Sequence, residues 1–261
     1  MSGDALPLDQ LVAIVTGASR GIGAAIASAF AGAGADVGLI ARGKPALDRM
    51  AARIHASGRR ALVITHDVRD LPAFKSIVEQ VVAEMGRLDL VVNNAGGANP
   101  RPFLETTTTQ LEEAFRFNVS AAFQLAREST PYLLASESGA IINITSSIDR
   151  FSARGLLAYG TAKAALSHMT RLMAADLAPR VRVNAIAPGI VETDSVRDAL
   201  TPEARAHVER VTPLRRPGTV EDIAAVAVWL ASPAAGYVTG KVIEVDGGAD
   251  VPGFPTDIPD L

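Results

Sequence analysis

The chain has 261 residues, 48% of them apolar and 20% charged, and its 25 Lys and Arg against 28 Asp and Glu give a formal charge of −3. That balance fits a folded domain with a sizeable core and excludes a disordered or disulfide-stapled chain. With no cysteine, disulfides, thiolate catalysis and cysteine-type zinc sites are excluded. The scattered Lys and Arg leave no electrostatic footprint for nucleic acid.

The opening MSGDALPLDQ is acidic and lacks the basic and apolar regions of an export signal, which predicts a cytoplasmic location. Residues 24–41 are mostly Ala and Gly and carry Asp36, so they make a poor membrane span and no membrane partner is expected. Short Val- and Ile-rich runs recur at 11–16, 37–41, 61–65, 88–92, 140–145, 181–186 and 242–245. Between them, helical patterns cover 22–33, 45–57, 72–85, 110–134, 157–178 and 220–231. Continuous apolar strands are those covered on both faces. The alternation therefore predicts a single-domain, Rossmann-type α/β fold: a doubly wound parallel seven-stranded sheet with helices on both faces. In such a sheet the ligand crevice lies at the carboxyl ends of the strands.

Residues 189–218 hold only a short amphipathic pattern around 204–211, bounded by Pro and Gly, and are expected to form a substrate lid. The tail from Asp250, with Pro252, Pro255 and Pro259, is expected to lie irregularly on a neighbouring subunit or to move.

The first strand runs into Thr16-Gly17-Ala18-Ser19-Arg20-Gly21-Ile22-Gly23 and then an Ala-rich helix. Glycines at those places let backbone approach a pyrophosphate seated on a helix amino terminus. The dinucleotide fingerprint places an acid roughly 20 residues on, at the end of the second strand, to hold the ribose of NAD. Here that strand ends in Arg42, and Asp36 stands at its entrance. Arg42 and Arg20 together make a guanidinium clamp suited to a 2′-phosphate, so NADP(H) is preferred and NAD(H) remains possible. Asp67-Val68 and Asn93-Asn94-Ala95-Gly96 end the third and fourth strands. An Asp there can accept from an adenine amino group, and Asn can tie loop backbone together, although both are also ordinary turn residues.

The fifth strand delivers Ser146 and Ser147 to the same edge, and Tyr159 and Lys163 lie four apart at the start of the next helix, on one face. A phenol with a reference pKa of ~10 exchanges protons poorly near neutrality unless a cation stabilises its phenolate. An ammonium one turn away is expected to do that, with a serine hydroxyl polarising the carbonyl oxygen. Asn118, in an otherwise apolar run, needs a polar partner and suits the ordering of a relay water. His168 is nine residues past Tyr159, which turns it away from the crevice mouth, and His55, His66 and His207 show no metal-ligand spacing, so no metal is expected.

These residues resemble the short-chain dehydrogenases/reductases over nearly the whole chain, from Leu11 to Gly248. The likeness is carried by Thr16-Gly17 with Gly21 and Gly23, Asn93-Asn94-Ala95-Gly96, Asn118, Ser146, Tyr159 with Lys163, and Pro188-Gly189 followed by Thr193. Ser146 precedes Tyr159 by thirteen residues, the usual family interval. The resemblance implies a catalytic group of Asn118, Ser146, Tyr159 and Lys163. It also implies cofactor contacts from Lys163 and Tyr159 at the nicotinamide ribose, Asp67 and Val68 at adenine, and Ile190 and Thr193 at the nicotinamide. Relatives with basic residues at the places of Arg20 and Arg42 usually use NADP(H), and family members are commonly homotetramers built through two long helices.

Softer features, Asn93–Gly97, Ser167-His168, Thr201-Pro202-Glu203 and Thr212–Arg216, look most like bacterial 7α-hydroxysteroid dehydrogenases. The other near group is the 3-oxoacyl-carrier-protein reductases, whose acidic carrier calls for a basic surface; residues 133–139 here read LLASESG. The expected activity is an NADP(H)-dependent interconversion of a secondary alcohol and a ketone, on a small, steroid-like or otherwise lipophilic substrate. Phe103, Phe151, Leu156 and Val196 are candidates for an apolar wall. Two alternatives stand beside it: reduction of a 3-oxoacyl thioester, and a non-catalytic NADPH-sensing regulator.

Overall fold

The computed structural model describes residues 6–197 and 200–252. Elements in chain order are β1 (Val12–Thr16), α1 (Gly21–Gly32), β2 (Asp36–Ala41), α2 (Lys44–Ala56), β3 (Ala61–Thr65), α3 (Phe74–Met85), β4 (Leu90–Asn93), α4 (Thr108–Phe115) and α5 (Ala121–Ala135). There follow β5 (Ala140–Ile144), α6 (Leu157–Leu177), β6 (Arg182–Pro188), α7 (Asp194–Arg197), α8 (Pro202–Val211), α9 (Val220–Ala231) and β7 (Val242–Val245). The seven strands form one sheet in the order β3-β2-β1-β4-β5-β6-β7, and every pairing is parallel. This is the doubly wound, single-domain α/β architecture read from the alternation of runs.

Side chains alternate between the two faces of the sheet. On one face Ala13, Val15, Leu39, Val92 and Ile142 pack with Ile26 and Phe30 of α1, Leu47 and Ile54 of α2, and Leu230 of α9. On the other, Ile14, Ile40, Val91 and Ile141 pack with Phe74 and Val81 of α3 and Leu125 and Leu133 of α5. Both faces are dry, which is why the strands read as unbroken apolar runs. The strand order reverses between β1 and β4, so their carboxyl ends open a crevice where the chain departs in opposite directions.

Two elements differ from the periodic reading. The expected helix over 110–134 is divided: α4 ends at Phe115, a π-helical turn covers Arg116–Ser120, and α5 begins at Ala121. Asn118 explains the break, because its Nδ2 donates to the Ala114 carbonyl at 2.9 Å, the oxygen that its own backbone N–H would take in a regular α-helix. The segment 189–218 carries a short α7 as well as α8, and α8 is capped by Thr201, whose side chain accepts from Ala204 N. Of the tail from Asp250, residues 253–261 lie outside the described residues. Among the described residues no helix is long and apolar enough to cross a membrane.

Candidate functional site

The glycine turn after β1 is built for close backbone approach. Gly17 has φ +67°, and a Cβ at Gly23 would stand 2.4 Å from both the Gly17 carbonyl and Asn94 Nδ2. Asn94 donates from Nδ2 to Thr16 O at 2.9 Å, and Thr16 Oγ1 accepts from the backbone N–H groups of Asn94 and Ala95 at 3.0 Å each, which pins the β4 turn to the β1 turn. Arg20 occupies the N-cap of α1 in extended backbone, with no side-chain cap and no acid in the first turn. The helix therefore presents free N–H groups and its positive end at the crevice, which fits a dinucleotide pyrophosphate. Ser19 and Ile22 belong to the same turn, and Thr193 leans over it, its Cγ2 3.3 Å from the position of a Cβ on Gly21.

At the adenosine end, Arg20 and Arg42 are both exposed, as a clamp on a 2′-phosphate requires. Asp36 heads β2 and is bound to Arg60 at 2.6 Å, away from the crevice. Asp67, expected at adenine, is already engaged within the chain: Arg69 donates to it from its backbone N–H and from Nε, each at 3.0 Å, and from Nη2 at 2.6 Å. Arg69 thereby holds the carboxylate down to about 2, and Arg42 lies 4.0 Å from it. Sequence reasoning missed Arg69, although its place two residues after Asp67 matches an Asx-type turn. The neighbouring Val68 is buried and packs on Phe74 in the core, so only its backbone is placed to meet a ligand.

At the chemical end, Ser146 follows β5; its Oγ accepts from Ile148 N at 3.4 Å, and its hydroxyl lowers the proton affinity of the Tyr159 phenol on α6. Lys163, 3% exposed, donates from Nζ to the Ile144 carbonyl at 2.8 Å, two residues before Ser146. Asn118 Oδ1 accepts from Gly97 N at 3.1 Å, and its Nδ2 donates to Gly97 O at 3.2 Å. Gly96 lies between these groups: a Cβ there would sit 2.6 Å from Asn118 Oδ1 and 3.1 Å from Lys163 Nζ. The four expected residues are thus brought together from β5, α6 and the π-helical turn. Beneath them Asn93 Nδ2 donates to Asn143 Oδ1 at 2.9 Å and Asn143 Nδ2 donates to Thr170 Oγ1 at 2.9 Å, a buried polar tie between β4, β5 and α6 that the sequence did not reveal.

The electrostatics correct one expectation. Burial raises the Tyr159 phenol, the Ser146 hydrogen bond lowers it, and the Asp149 charge raises it. Lys163 is lowered by burial to about 8. Its Nζ stands 5.7 Å from the centre of the Tyr159 ring and is directed at a backbone carbonyl. Desolvation is the largest influence on the phenol, and Tyr159 stays protonated near neutrality, ready to give a proton.

Pro188 ends β6, and Gly189 donates to Val245 O at 3.0 Å, with Ile190 and Thr193 following toward the glycine turn. The segment 189–218 is tied at its base: Glu192 N donates to Gly218 O at 2.9 Å, and Arg205 of α8 pairs with the Glu192 carboxylate. Of the expected apolar wall, Phe103 is 65% exposed beside Leu104, while Phe151 carries the Arg150 guanidinium 4.0 Å from its ring centre. His168 is exposed on the outer face of α6 and lines a groove with Phe115, Phe123 and Leu172, away from the crevice.

Residues 17–250 match the family described as Enoyl-(Acyl carrier protein) reductase. An uncharacterized oxidoreductase of Mycobacterium tuberculosis is 50% identical over 260 residues, 99% of each chain. A 3-oxoacyl-[acyl-carrier-protein] reductase of Staphylococcus aureus is 35% identical over 238 residues, 90% of this chain and 96% of the relative. Among solved structures, a 7α-hydroxysteroid dehydrogenase complexed with NADH and 7-oxo glycochenodeoxycholic acid superposes with a TM-score of 0.91 at 36% identity, covering 95% of this chain and 98% of that one.

Proposed function

The chain belongs to the short-chain dehydrogenase/reductase family, oxidoreductases that act on CH–OH donors with a nicotinamide dinucleotide, and on that premise we propose an NADP(H)-dependent interconversion of a secondary alcohol and a lipophilic ketone. The observation that carries the reading is the convergence of Tyr159, Ser146, Lys163 and Asn118 at the carboxyl ends of β4 and β5. When bound, the nicotinamide supplies or accepts the hydride. The chain's own part is the proton and the carbonyl oxygen. Tyr159, kept as a phenol by burial, gives its proton to that oxygen in reduction and takes it back in oxidation. Ser146 donates to the same oxygen as negative charge grows on it. Lys163 replaces the lost proton's charge from beneath, and the side chain of Asn118, locked by Gly97 and Ala114, fixes the π-helical turn where a relay water would sit.

The cofactor would be held by Gly17, Ser19, Arg20, Gly21, Ile22 and Gly23 at the pyrophosphate and by Arg20 and Arg42 at a 2′-phosphate. Asp67 and Val68 would face the adenine, Asn94, Ala95 and Gly96 the ribose side, and Pro188, Gly189, Ile190 and Thr193 the nicotinamide. NADP(H) is favoured because Arg42 stands where an NAD site carries an acid and Arg20 of the glycine turn is exposed as well. The segment 189–218 acts as the lid. A lipophilic substrate follows from Phe103, Leu104 and Leu214, which are 65%, 77% and 66% exposed on the loop after β4 and at the end of the lid. A cytoplasmic homotetramer is part of this reading, and what supports the assembly is that Phe115, Phe123 and Leu172 line a groove of about 430 Å³ on the outer face of α4, α5 and α6.

The test is Tyr159→Phe assayed for NADP⁺ reduction with a panel of hydroxysteroids. We expect cofactor binding to persist and kcat to fall about 10³-fold. Wild-type turnover in the variant would overturn the mechanism. A 3-oxoacyl thioester reductase is the second reading, supported by the similarity to the Staphylococcus aureus enzyme. Turnover of short 3-hydroxyacyl thioesters but not of steroids would establish it instead.

A further inference from the structure

The turn that follows Ser146 is fastened on two sides. Arg150 pairs with Asp246 and, at 3.1 Å, with Glu244 of β7, and it donates to Ala249 O at 3.0 Å. Asp149 faces the other way: its backbone N–H donates to Ser146 O at 3.0 Å, and its carboxylate accepts a hydrogen bond from the hydroxyl of Ser167 on α6. Ser167 is one helical turn beyond Lys163, which is one turn beyond Tyr159, so the carboxylate is anchored on the helix face that presents the proton-exchanging pair. The turn packs on α6 beside Gly160, where the position of a Cβ lies 3.5 Å from Ile148 Cγ1 and 3.6 Å from Ile148 O, ordinary van der Waals contact.

We propose that Asp149 is a positioning residue for the Tyr159–Lys163 pair: a carboxylate fixed by Ser167, one helical turn beyond Lys163, that acts through these two side chains in the proton-exchange step. The proposal rests on the proton-exchange role given to Tyr159 above. Asp149 is half-buried, and the charged groups around it are Arg150 on its own turn and Lys163 and Arg171 on α6. Asp246 and Glu244 of β7 are engaged by Arg150. Burial raises the Asp149 carboxyl, while Ser167, Arg150, Arg171 and Lys163 hold it down. In return its charge raises both Tyr159 and Lys163. The role falls to this side chain because a negative charge close to a phenol opposes formation of a second one.

The chain has three tyrosines, at positions 132, 159 and 237, so subtracting the tyrosinate absorbance of Tyr159→Phe isolates Tyr159. The titration is read after rapid pH jumps, before the protein unfolds, in wild type and in Asp149→Asn. We expect the Tyr159 midpoint to fall by about one pH unit in Asp149→Asn, and the pH at which ketone reduction declines to move down with it. Ser167→Ala keeps the charge and frees the carboxylate, so its midpoint should fall less. A midpoint unmoved in Asp149→Asn, whatever happens to the rate, overturns the proposal and leaves Asp149 a packing residue. If Asp149→Asn does not fold, Asp149→Ser, which is smaller and neutral, answers the same question. Wild-type turnover in Tyr159→Phe is a separate result that would remove the proton-exchange reading and this one with it.

Discussion

Replacing Lys163 by Met separates what the site does from what holds the fold together. Lys163 is 3% exposed, its ammonium donates to the Ile144 carbonyl at 2.8 Å, and burial lowers it from 10.5 to about 8. That shift is worth about 3 kcal/mol against the charged form in the native state. Methionine keeps the apolar stem and removes the charge, but leaves the Ile144 carbonyl without this donor, at a cost of about 1–2 kcal/mol. The variant should therefore be inactive yet more stable than wild type by about 1–2 kcal/mol near neutral pH. The pH dependence is the sharper test. Because the folded protein holds this proton less tightly than the unfolded chain, the penalty of the charged Lys163 is in full force below its folded value of about 8, is relieved through the window up to 10.5 and is gone above it. Urea unfolding of both proteins at equal protein concentration across that window cancels the groups that titrate alike in the two and the effect of assembly. The stability difference, wild type minus Lys163→Met, should rise by about 3 kcal/mol across it. A flat difference would refute the buried ammonium as a source of strain.

Arg42→Asp should raise KM for NADPH by about 10- to 100-fold while improving use of NADH, because it removes a charge-assisted partner of the 2′-phosphate and supplies an acceptor for a ribose hydroxyl. Parallel steady-state kinetics with both cofactors checks this, and an unchanged preference would remove Arg42 from the cofactor site. Gly23→Ala forces a methyl to within 2.4 Å of the Gly17 carbonyl, so it should destabilise the protein by about 1–3 kcal/mol and weaken dinucleotide binding, measured by thermal unfolding with and without NADPH. Phe123→Asp places a charge in the apolar groove beside Phe115 and Leu172 and should shift the assembly toward smaller species in analytical ultracentrifugation with the fold intact by circular dichroism.

The arrangement of strands and helices was legible because it is written in local periods. A fully buried parallel strand needs an unbroken apolar run, a turn against a helix amino terminus needs glycine, and both signals lie within a few neighbouring residues. Tyr159 and Lys163 were legible for the same reason, since four residues along a helix set two side chains on one face. Other features depended on partners far away in the chain. Arg150 meets Asp246 across 96 residues, Lys163 finds Ile144 across 19, and Asn93 and Asn143 close a buried pair across 50, none of which leaves a local pattern. The division of the helix at Asn118 and the raised Tyr159 phenol belong with these. The sequence singled out Asn118 as a polar residue in an apolar run and Tyr159 by its spacing from Lys163, but the depth of burial and the neighbours packed around them decided hydrogen bonding and proton affinity, quantities that exist only once the chain has closed on itself.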